Sequence, residues 1–564
     1  MNFIRIIMVL CAVNYSGEVL AGVIFVGKEL VTLEQTEGNA IYVENARIVE
    51  VGQLSQLAEE YPHAEVNLGF ADNVIVPGLI EHHVHPFLAA LTMSVDVIAI
   101  EDWALPTGMT YGVRTRDGYL KRLRMAVDQF DGSDDLYITW GFHHYFHGAL
   151  SRADLDKISP NKPILVIHRS FHEFVMNSAA LALLGISEDD IMSAEKSARK
   201  HMSIEKGHFA EQGAIAITGK VFPYLATPQR LIGGLKKTRR YLHENGVTMI
   251  SNPGSFLSRD VQLAKNAVFG AAESPFKSLF IVNGMFIAEQ FGTNDLIGRA
   301  DEVSSWGEGK LSFLPKRVKL FTDGAIYSQA MQMRDGYLDG HSGAWLMEED
   351  VYRTAFQTYW DAGYQIHVHQ NGDAGLDRLL DVLEENLKRA PRADHRTVIV
   401  HFGYSRPDQV TRIKELGAIV SANPYYVTAL SDLYTRKGVG PKSQEMVRLG
   451  DVSRAGISVS LHSDMPMAPG APLFLMHQAI NRVNFANKVA GPSQRLDAEQ
   501  ALRAVTINAA YTIGLEDDYG SIAPGKFANF TILAENPLVV APDTIKNIKV
   551  ISTVVEGVHY PIVN

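Results

Sequence analysis

The middle of the chain, from residue 74 to residue 464, repeats one pattern, in which a short apolar run is followed by an amphipathic stretch. Apolar strands that alternate with helices are buried on both faces and pair in parallel, so the pattern predicts an α/β fold. Roughly eight such units favour a closed (β/α)8 barrel of the TIM type. The runs are VIVPGLIEHHVH (74–85), PILVIH (163–168), GVTMISN (246–252), SLFIVN (278–283), RVKLFTDG (317–324), YQIHVHQNGD (364–373), TVIVHFG (397–403), AIVSANP (418–424) and ISVSLHSD (457–464).

The two ends of the chain have a different texture. Residues 22–77 and 519–564 carry short runs in which apolar and polar residues alternate, broken by Gly and Asn. This period of two indicates antiparallel strands, and chain ends are often close in space, so we expect the two ends to form one small sheet domain. The barrel would then occupy residues 78–518. The stretch around 100–235 is long for its few strands, and we interpret part of it as an insertion over the barrel mouth.

Residues 1–21 resemble a cleavable signal peptide. Arg5 precedes an apolar stretch that is too short to span a bilayer, and Ala21 ends a segment suited to cleavage. A buried first strand is the alternative. The segment holds Cys11, the single cysteine of the chain, so the mature protein would have none, and we expect it in the periplasm or secreted. No other stretch reaches membrane-spanning length, so we expect no membrane span in the mature chain.

Charge and histidine content narrow the partners. The formal net charge of -11 argues against nucleic acid, because phosphate neutralisation needs clustered Lys and Arg. A small-molecule substrate is expected instead, and a homodimer is one option for the oligomeric state. The chain has 20 His and 1 Cys, which favours imidazole and carboxylate ligands over thiolates in any metal site.

Polar residues at the ends of the predicted strands are the candidates for chemistry, because barrel active sites lie at the carboxyl ends of the strands. Two runs carry histidines two residues apart, which point to the same side of an extended chain. These pairs are His83 with His85 and His367 with His369, and His369 is favoured because it lies nearer the strand end. The candidate metal ligands at the strand ends are His83, His85, His369, His401 and Asp464.

Such a set would bind one or two divalent ions, with zinc favoured and iron, manganese or nickel as alternatives. Asp464 could also take a proton from a metal-activated water and pass it to the leaving nitrogen; capping the next helix is its alternative role. Lys319 lies in an apolar run, where burial would favour a neutral amine that can react with carbon dioxide to form a bridging carbamate. An ordinary strand lysine remains the alternative.

Other polar residues are candidates for the substrate pocket. His143, His144 and His147 lie in the aromatic segment HHYFH and are expected in the pocket wall, with a second metal site as the alternative. His172 and Glu211 are polar groups in apolar stretches and are expected to line the pocket as well, unless their role is structural.

These motifs together resemble the amidohydrolase superfamily. PGLIEHHVHP is similar to its PGxxDxHxHP opening, and VKLFTDG, HQNGD, VIVHFG, LHSDMP and GSIAPGKFANF follow in the superfamily's order. LDKISPNKPILVIHRSFHEFVMNSAAL, RVKLFTDGAI and HVHQNGDAG resemble more narrowly the amidohydrolase 3 group, which includes N-substituted formamide deformylases. The resemblance covers nearly the whole chain after residue 21.

The resemblance implies a distorted eight-stranded barrel beside a small composite β-sandwich from both termini. It also implies Lys319 as a carboxylated metal bridge, Asp464 as the catalytic acid and base, and His172 as a contact to the substrate or oxyanion. The metal ligands that it implies are His83, His85, His369 and His401. Departures from the usual pattern include Glu81, His82 and Asn252, and GFHHYFH replaces a segment that often reads G-W-D.

The expected function is a metal-dependent hydrolase that cleaves a non-peptide C–N bond, in an amide or an N-formyl or N-acyl amine. The same ligands could serve hydrolysis of a cyclic amide, deamination of a ring or hydrolysis of an ester. A non-catalytic binding or regulatory homologue is the alternative from outside the enzymes.

Overall fold

Parallel strands form a barrel sheet in the computed structural model, which describes residues 22–132, 134–255 and 257–562. The order in this eight-stranded sheet is β20-β19-β18-β17-β16-β15-β14-β5, and each neighbouring pair is parallel. The predicted (β/α)8 barrel is therefore confirmed. Numbered in chain order, its strands are β5 (Leu79–Glu81), β14 (Val247–Pro253), β15 (Lys277–Asn283), β16 (Leu311–Phe321), β17 (Gln365–Gln370), β18 (Val398–His401), β19 (Ile419–Ala422) and β20 (Val459–Leu461).

The barrel closes between its first and last strands. Val84 and Met465 form a parallel bridge just beyond β5 and β20. The His85 amide donates to the Met465 carbonyl at 2.9 Å, and the Asp464 amide donates to the His83 carbonyl at 3.0 Å. Closure thus places the histidines that follow β5 directly beside Asp464, although the two ends are far apart in the chain.

One of the nine apolar runs does not belong to the barrel. PILVIH forms β10 in a separate six-stranded sheet of the insertion, in the order β12-β13-β11-β10-β9-β6. A fully buried apolar run looks the same in either sheet, so periodicity alone could not separate them. The strands of this sheet are β6 (Asp96–Val97), β9 (Tyr137–Phe142), β10 (Ile164–His168), β11 (Glu173–Met176), β12 (Met202–Ser203) and β13 (His208–Ala210), and a hairpin of β7 (Trp103–Leu105) and β8 (Gly108–Thr110) precedes β9.

A buried ion pair fixes the insertion over the barrel mouth. The Arg169 guanidinium, just after β10, donates to both oxygens of Glu101 at 2.8 and 3.1 Å. The Tyr425 hydroxyl donates to the same carboxylate at 2.9 Å, and Arg169 also donates to the Met467 carbonyl at 2.6 Å. A planar guanidinium that forms this many bonds sets both the distance and the orientation of the insertion.

The two ends of the described chain share one seven-stranded sheet, in the order β23-β22-β21-β4-β1-β2-β3. β21 pairs antiparallel with β4, so the late strands extend the sheet that the early strands begin. Ile24 and Val26 pack on one face and Phe25 on the other, which matches the period of two in the sequence. The strands are β1 (Val23–Leu30), β2 (Ala40–Glu44), β3 (Arg47–Gly52), β4 (Glu65–Pro77), β21 (Phe530–Leu533), β22 (Val550–Val555) and β23 (Val558–Pro561).

Helices cover the outside of the barrel and the faces of the other sheets. Within the described residues, no helix combines the length and the apolar content needed to cross a bilayer. The predicted leader, with Cys11, lies outside the described residues. The α-helices are α1 (Leu54–Glu60), α2 (Pro86–Met93), α3 (Arg116–Gln129), α4 (His144–His147), α5 (Arg152–Ile158), α6 (Ser178–Leu184), α7 (Glu188–Ser193), α8 (Lys196–Arg199), α9 (Gln212–Leu225), α10 (Pro228–Glu244), α11 (Arg259–Phe269), α12 (Gly284–Phe291), α13 (Leu296–Ser304), α14 (Glu349–Asp361), α15 (Asp373–Arg389), α16 (Pro407–Leu416), α17 (Tyr425–Lys437), α18 (Leu449–Arg454), α19 (Pro472–Asn481), α20 (Ala498–Ala504) and α21 (Ile507–Thr512).

Candidate metal centre at the carboxyl ends of the barrel strands

The closure of the barrel brings His83, His85 and Asp464 together. The Nε2 atoms of His83 and His85 lie 3.3 and 3.0 Å from the same oxygen, Oδ1 of Asp464. Neither contact is aligned as a hydrogen bond, so this buried oxygen has no hydrogen-bond partner among the described residues. His83 is buried, and burial lowers its pKa well below the usual value, so its imidazole is neutral.

His401 joins this group from the end of β18. Its Nδ1 atom lies 3.8 Å from Oδ2 of Asp464, and its ring centroid lies 4.9 Å from that of His83. Burial lowers the pKa of His401 well below the usual value. His401 and Asp464 have φ angles of 75° and 58°, in the left-handed region that non-glycine residues seldom adopt. Such backbone strain is typical of functional sites, where the surrounding fold holds a side chain in place.

His462 is part of the same group, although the sequence-based reasoning did not select it. Its Nε2 atom lies 3.1 Å from Nδ1 of His401, and its ring stacks on that of His83 at 4.5 Å. One ring nitrogen from each of His83, His401 and His462 lies within 4.8 Å of the other two. The signal was available, because His462 stands two residues before Asp464, as His83 stands two before His85.

His369 lies at the edge of this group. Its ring centroid is 4.6 Å from that of His401, but its Nε2 atom lies 3.0 Å from Nδ2, the side-chain amide nitrogen of Asn371. The structure therefore brings His369 beside the other histidines without a direct contact to Asp464. His367, two residues earlier, is buried and pairs in register with Lys319 across β16 and β17.

Lys319 is buried on β16, in register with His367. Its ammonium nitrogen has no hydrogen-bond partner among the described residues, and burial lowers the pKa of the lysine to about 7. Its Nζ atom lies 5.6 Å from the centroid of the Phe321 ring. Near neutral pH such an amine is therefore present in both the protonated form and the neutral, reactive form.

A second layer of polar residues fixes the ring orientations. The Nδ1–H group of His85 donates to Oδ1 of Asn252 at 3.2 Å, which leaves the lone pair of Nε2 facing Asp464. The hydroxyl of Ser421 lies 2.7 Å from Nε2 of His82 and 2.8 Å from Nδ1 of His462. Asn252 and His82 were noted only as departures from the family pattern, and both now have a positioning role.

Glu81 supports the strand that carries Asp464. The amide of Ser463 donates to both carboxylate oxygens of Glu81 at 3.2 Å. Burial raises the pKa of Glu81 to about 8, so this group is largely protonated near neutral pH.

His147 is predicted to lie in the wall of the substrate pocket, and in the structure both of its ring nitrogens bond to the backbone. Its Nε2 atom bonds to the Val113 carbonyl at 2.7 Å, and its Nδ1 atom accepts from the His143 amide at 3.0 Å. The ring also stacks on Tyr119 at 4.3 Å. Because the backbone uses both nitrogens, neither remains to bind a metal or a substrate.

The remaining pocket candidates lie in the insertion. His172 and Glu211 form a pair at 2.9 Å, and each side chain is 42% exposed. His143 and His144 lie beside His168 rather than beside Asp464. Two tyrosine rings separate His143 from His401, with centroid distances of 6.2 Å from His143 to Tyr327, 5.5 Å from Tyr327 to Tyr426 and 6.5 Å from Tyr426 to His401.

The residues at the barrel mouth fit a divalent cation. Neutral imidazoles and a carboxylate are the ligands that zinc and similar ions prefer. The lone pair of His85 faces a carboxylate oxygen at 3.0 Å, an arrangement that is repulsive unless a proton or a cation lies between the two atoms. The unpartnered oxygen of Asp464 and the unpartnered amine of Lys319 point to the same requirement.

Comparisons with known proteins agree with this geometry. A family model described as "Amidohydrolase family" matches residues 71–559. N-substituted formamide deformylase from Arthrobacter pascens is 25% identical over 563 residues, which cover 92% of this chain and 94% of that protein. Protein LONG AFTER FAR-RED 3 from Arabidopsis thaliana is 25% identical over 514 residues, covering 88% of this chain and 84% of that protein. An uncharacterised metal-dependent hydrolase from Pyrococcus horikoshii OT3 shares the fold with a TM-score of 0.70 at 19% identity, over 92% of this chain and 99% of that chain.

Proposed function

Because the chain belongs to the amidohydrolase family, we propose that it is a metal-dependent hydrolase of a non-peptide C–N bond in a small amide or an N-formyl or N-acyl amine. The observation that carries the proposal is the convergence of His83 Nε2 and His85 Nε2 on one oxygen of Asp464. The likeness to a relative named N-substituted formamide deformylase supports the choice of bond.

The ligands proposed for the ion are His83, His85, His401 and Asp464, with His369 and Lys319 added by the family resemblance. Such an ion, when bound, lowers the pKa of a water molecule and polarises a carbonyl group. Asn252 keeps His85 in the tautomer that can act as a ligand, and the strained backbone at Asp464 holds its carboxylate at the mouth.

Asp464 moves the proton in this proposal. Its carboxylate accepts a proton from the attacking water and then gives it to the leaving nitrogen as the C–N bond breaks, so a carboxylate and an amine are the products. The Asp464 side chain is 10% exposed, so a substrate at the barrel mouth can reach it while most bulk water is excluded.

Lys319 is proposed to carry a carbamate. A neutral amine adds to carbon dioxide with loss of one proton, which turns a buried unpartnered nitrogen into an anion that can hold cations. The lowered pKa and the lack of a partner support this step. Incubation with 13C-labelled bicarbonate tests it, because wild type should give a carbamate carbon signal by NMR that Lys319→Met lacks.

The decisive experiment is a substrate panel with an isosteric variant. Zinc-loaded wild type should release primary amine from N-substituted formamides, and Asp464→Asn should lose about 100- to 10,000-fold in kcat, as expected for a missing proton carrier. Asp335→Asn removes an exposed carboxylate and should leave the rate unchanged. Near-normal turnover by metal-loaded Asp464→Asn would contradict the role of Asp464, and hydrolysis confined to esters or cyclic amides would contradict the proposed bond.

We also propose that residues 1–21 are removed on export to the periplasm or the medium. The positive residue, the apolar stretch and the end at Ala21 support this. Sequencing of the amino terminus of exported protein should find Gly22 first, and retention of Met1 would contradict the proposal.

A further inference from the structure

The insertion sheet carries a second group of imidazoles. β9 and β10 are parallel neighbours, so their carboxyl ends meet at one edge of the sheet. His143 and His144 follow β9, and His168 is the last residue of β10. One ring nitrogen from each of the three lies within 4.8 Å of the other two, and their ring centroids are 5.3 to 5.6 Å apart.

Each of these three rings has a nitrogen that the described residues do not satisfy. The atoms are Nε2 of His143, Nδ1 of His144 and Nε2 of His168, and all three are buried. His143 is 0% exposed and His168 is 1% exposed. An unpaired buried polar atom is unfavourable, so three of them at one place favour a shared partner.

The opposite nitrogen of His168 is already engaged. Its Nδ1 atom accepts from the Ser170 amide at 3.2 Å and lies 2.8 Å from the Ser170 hydroxyl. A ligand bond at Nε2 therefore requires the other tautomer, in which Nδ1–H donates to the hydroxyl oxygen and the Ser170 amide is released. Burial lowers the pKa of His168 to about 3 and the pKa of His143 well below the usual value. The rings are thus neutral near neutral pH. Nδ1 of His143 accepts from the Tyr145 amide at 3.4 Å, so a ligand bond at its Nε2 requires the same change of tautomer.

A carboxylate adjoins the three rings. Oε1 of Glu173 lies 3.8 Å from Nδ1 of His144, and its Oε2 lies 3.1 Å from Nε2 of His208. Burial raises the pKa of Glu173, but the hydrogen bond between His208 Nε2 and its Oε2 favours the ionised carboxylate, and the pKa is lowered overall. Glu173 therefore supplies one negative charge beside three neutral donors.

We propose that His143, His144 and His168 bind a divalent transition-metal ion of the zinc class, with Glu173 as the adjoining carboxylate. Imidazole and carboxylate donors suit zinc, whereas calcium and magnesium require mainly oxygen. Two donors on a tetrahedral zinc ion lie about 3.4 Å apart, so the nitrogens need to approach by roughly 1 Å, which ring rotation provides. The site takes the alternative left open for HHYFH in the sequence and replaces His147 with His168.

This site is separate from the barrel mouth. Tyr327 and Tyr426 lie between the two groups, and all the proposed donors come from the insertion. A bound ion would join the start of α4 to the end of β10. It would also brace Arg169, the next residue, which bonds to Glu101 and to the Met467 carbonyl.

Metal counting in the full chain tests the site. Protein stripped with a chelator, loaded with Co(II) and dialysed is analysed for metal by mass spectrometry. His144→Gln, at a position that is 33% exposed, and His168→Gln should each hold one ion fewer per chain than wild type. His477→Gln, a partly buried histidine outside both groups, should match wild type. An equal ion count in wild type and folded His144→Gln overturns the proposal.

The same count in a His83→Gln/His85→Gln background separates this site from the proposed active site. There, one further ion should be lost on adding His144→Gln, whether or not the barrel group binds metal. If variants fold poorly, anomalous diffraction from wild-type crystals grown with zinc decides the question. A peak among the three rings supports the site, and zinc-loaded crystals without that peak overturn it.

Discussion

The molecule has two histidine groups, one at the carboxyl ends of the parallel barrel strands and the other at the carboxyl ends of the parallel pair β9 and β10 in the mixed insertion sheet. The barrel group consists of His83, His85, His401, His462 and Asp464, and the insertion group consists of His143, His144 and His168. In the barrel group a carboxylate lies among the rings, with imidazole nitrogens 3.0 and 3.3 Å from one oxygen. In the insertion group the carboxylate of Glu173 lies to one side and is shared with His208.

The difference lies in how each group is supported. The members of the barrel group come from strands far apart in the chain. Hydrogen bonds position them: Asn252 bonds to His85, Ser421 to His462, and Glu81 to the amide of Ser463, next to Asp464. His168 in the insertion group has Ser170 as its support. Ligands whose orientation is fixed by hydrogen bonds suit catalysis on a substrate. Three imidazoles from two adjacent strands suit an ion that links the two strands.

The largest expected difference between the two groups is the loss of catalytic activity when one of their histidines is replaced. His83→Gln should reduce kcat/KM by about 1000-fold or more, because it removes a donor on which the ion and the proton carrier both depend. His144→Gln should stay within about threefold of wild type, because Tyr327 and Tyr426 separate its group from Asp464. Steady-state kinetics on the substrate found in the panel measures both, and equal losses in two folded variants would contradict the division of roles.

The next prediction concerns metal affinity when the side chain that orients a histidine of each group is removed. Asn252→Ala should weaken metal binding at the barrel group by about 10- to 100-fold, as is usual when a ligand histidine loses its orienting partner. Ser170→Ala is the matched change for His168. Competition titration with a chromophoric chelator should show that each variant weakens one class of ion and leaves the other unchanged. Weakening of both classes by either variant would mean that the groups are coupled.

Sequence pattern was sufficient for the barrel and for the direct contacts of Asp464. Alternating apolar runs and helices specify a parallel sheet, and barrel closure then brings His83 and His85 to Asp464 without further information. The run that ends at His168 could not be assigned to a sheet, because a buried strand has the same composition in a barrel and in an insertion.

The hydrogen-bond partners of individual histidines could not be predicted from the sequence. His147 is a histidine in an aromatic segment, and only the fold shows that the Val113 carbonyl and the His143 amide use its two nitrogens. His462 contacts His401 and Ser421, which lie 61 and 41 residues away in the chain, so its place beside Asp464 follows only from the fold. Spacing shows which residues share a strand face, but hydrogen-bond saturation depends on contacts that sequence separation does not reveal.

Lys265 is a buried lysine outside both groups, and we expect it to affect the free energy of unfolding by a smaller amount. Burial lowers the pKa of Lys265 from 10.5 to about 7, and its Nζ atom lies 2.6 Å from the Ser255 hydroxyl and 5.0 Å from the centroid of the Phe280 ring. The unfolded chain binds this proton below about pH 10.5 and the native chain only below about pH 7, so the free energy of unfolding should rise between these pH values. Lys265→Met should flatten this rise and gain about 1–3 kcal/mol near pH 7.

Urea denaturation at pH 7 and pH 10 measures this, with Lys310→Met as the partly buried control that keeps the slope of wild type. An unchanged pH slope in Lys265→Met would mean that the lysine stays protonated in the native state.

The smallest effect is expected where a histidine and a carboxylate meet without burial. His172 and Glu211 lie 2.9 Å apart, as close as the pairs in the barrel group, but each side chain is 42% exposed. Water screens such a pair, so a double-mutant cycle with His172→Gln and Glu211→Gln should give a coupling free energy below about 1 kcal/mol. A coupling above about 2 kcal/mol would mean that the pair is desolvated in solution. The cycle also tests the predicted substrate contact, because a raised KM in His172→Gln at unchanged stability would place this exposed pair, rather than the insertion group, on the path of the substrate.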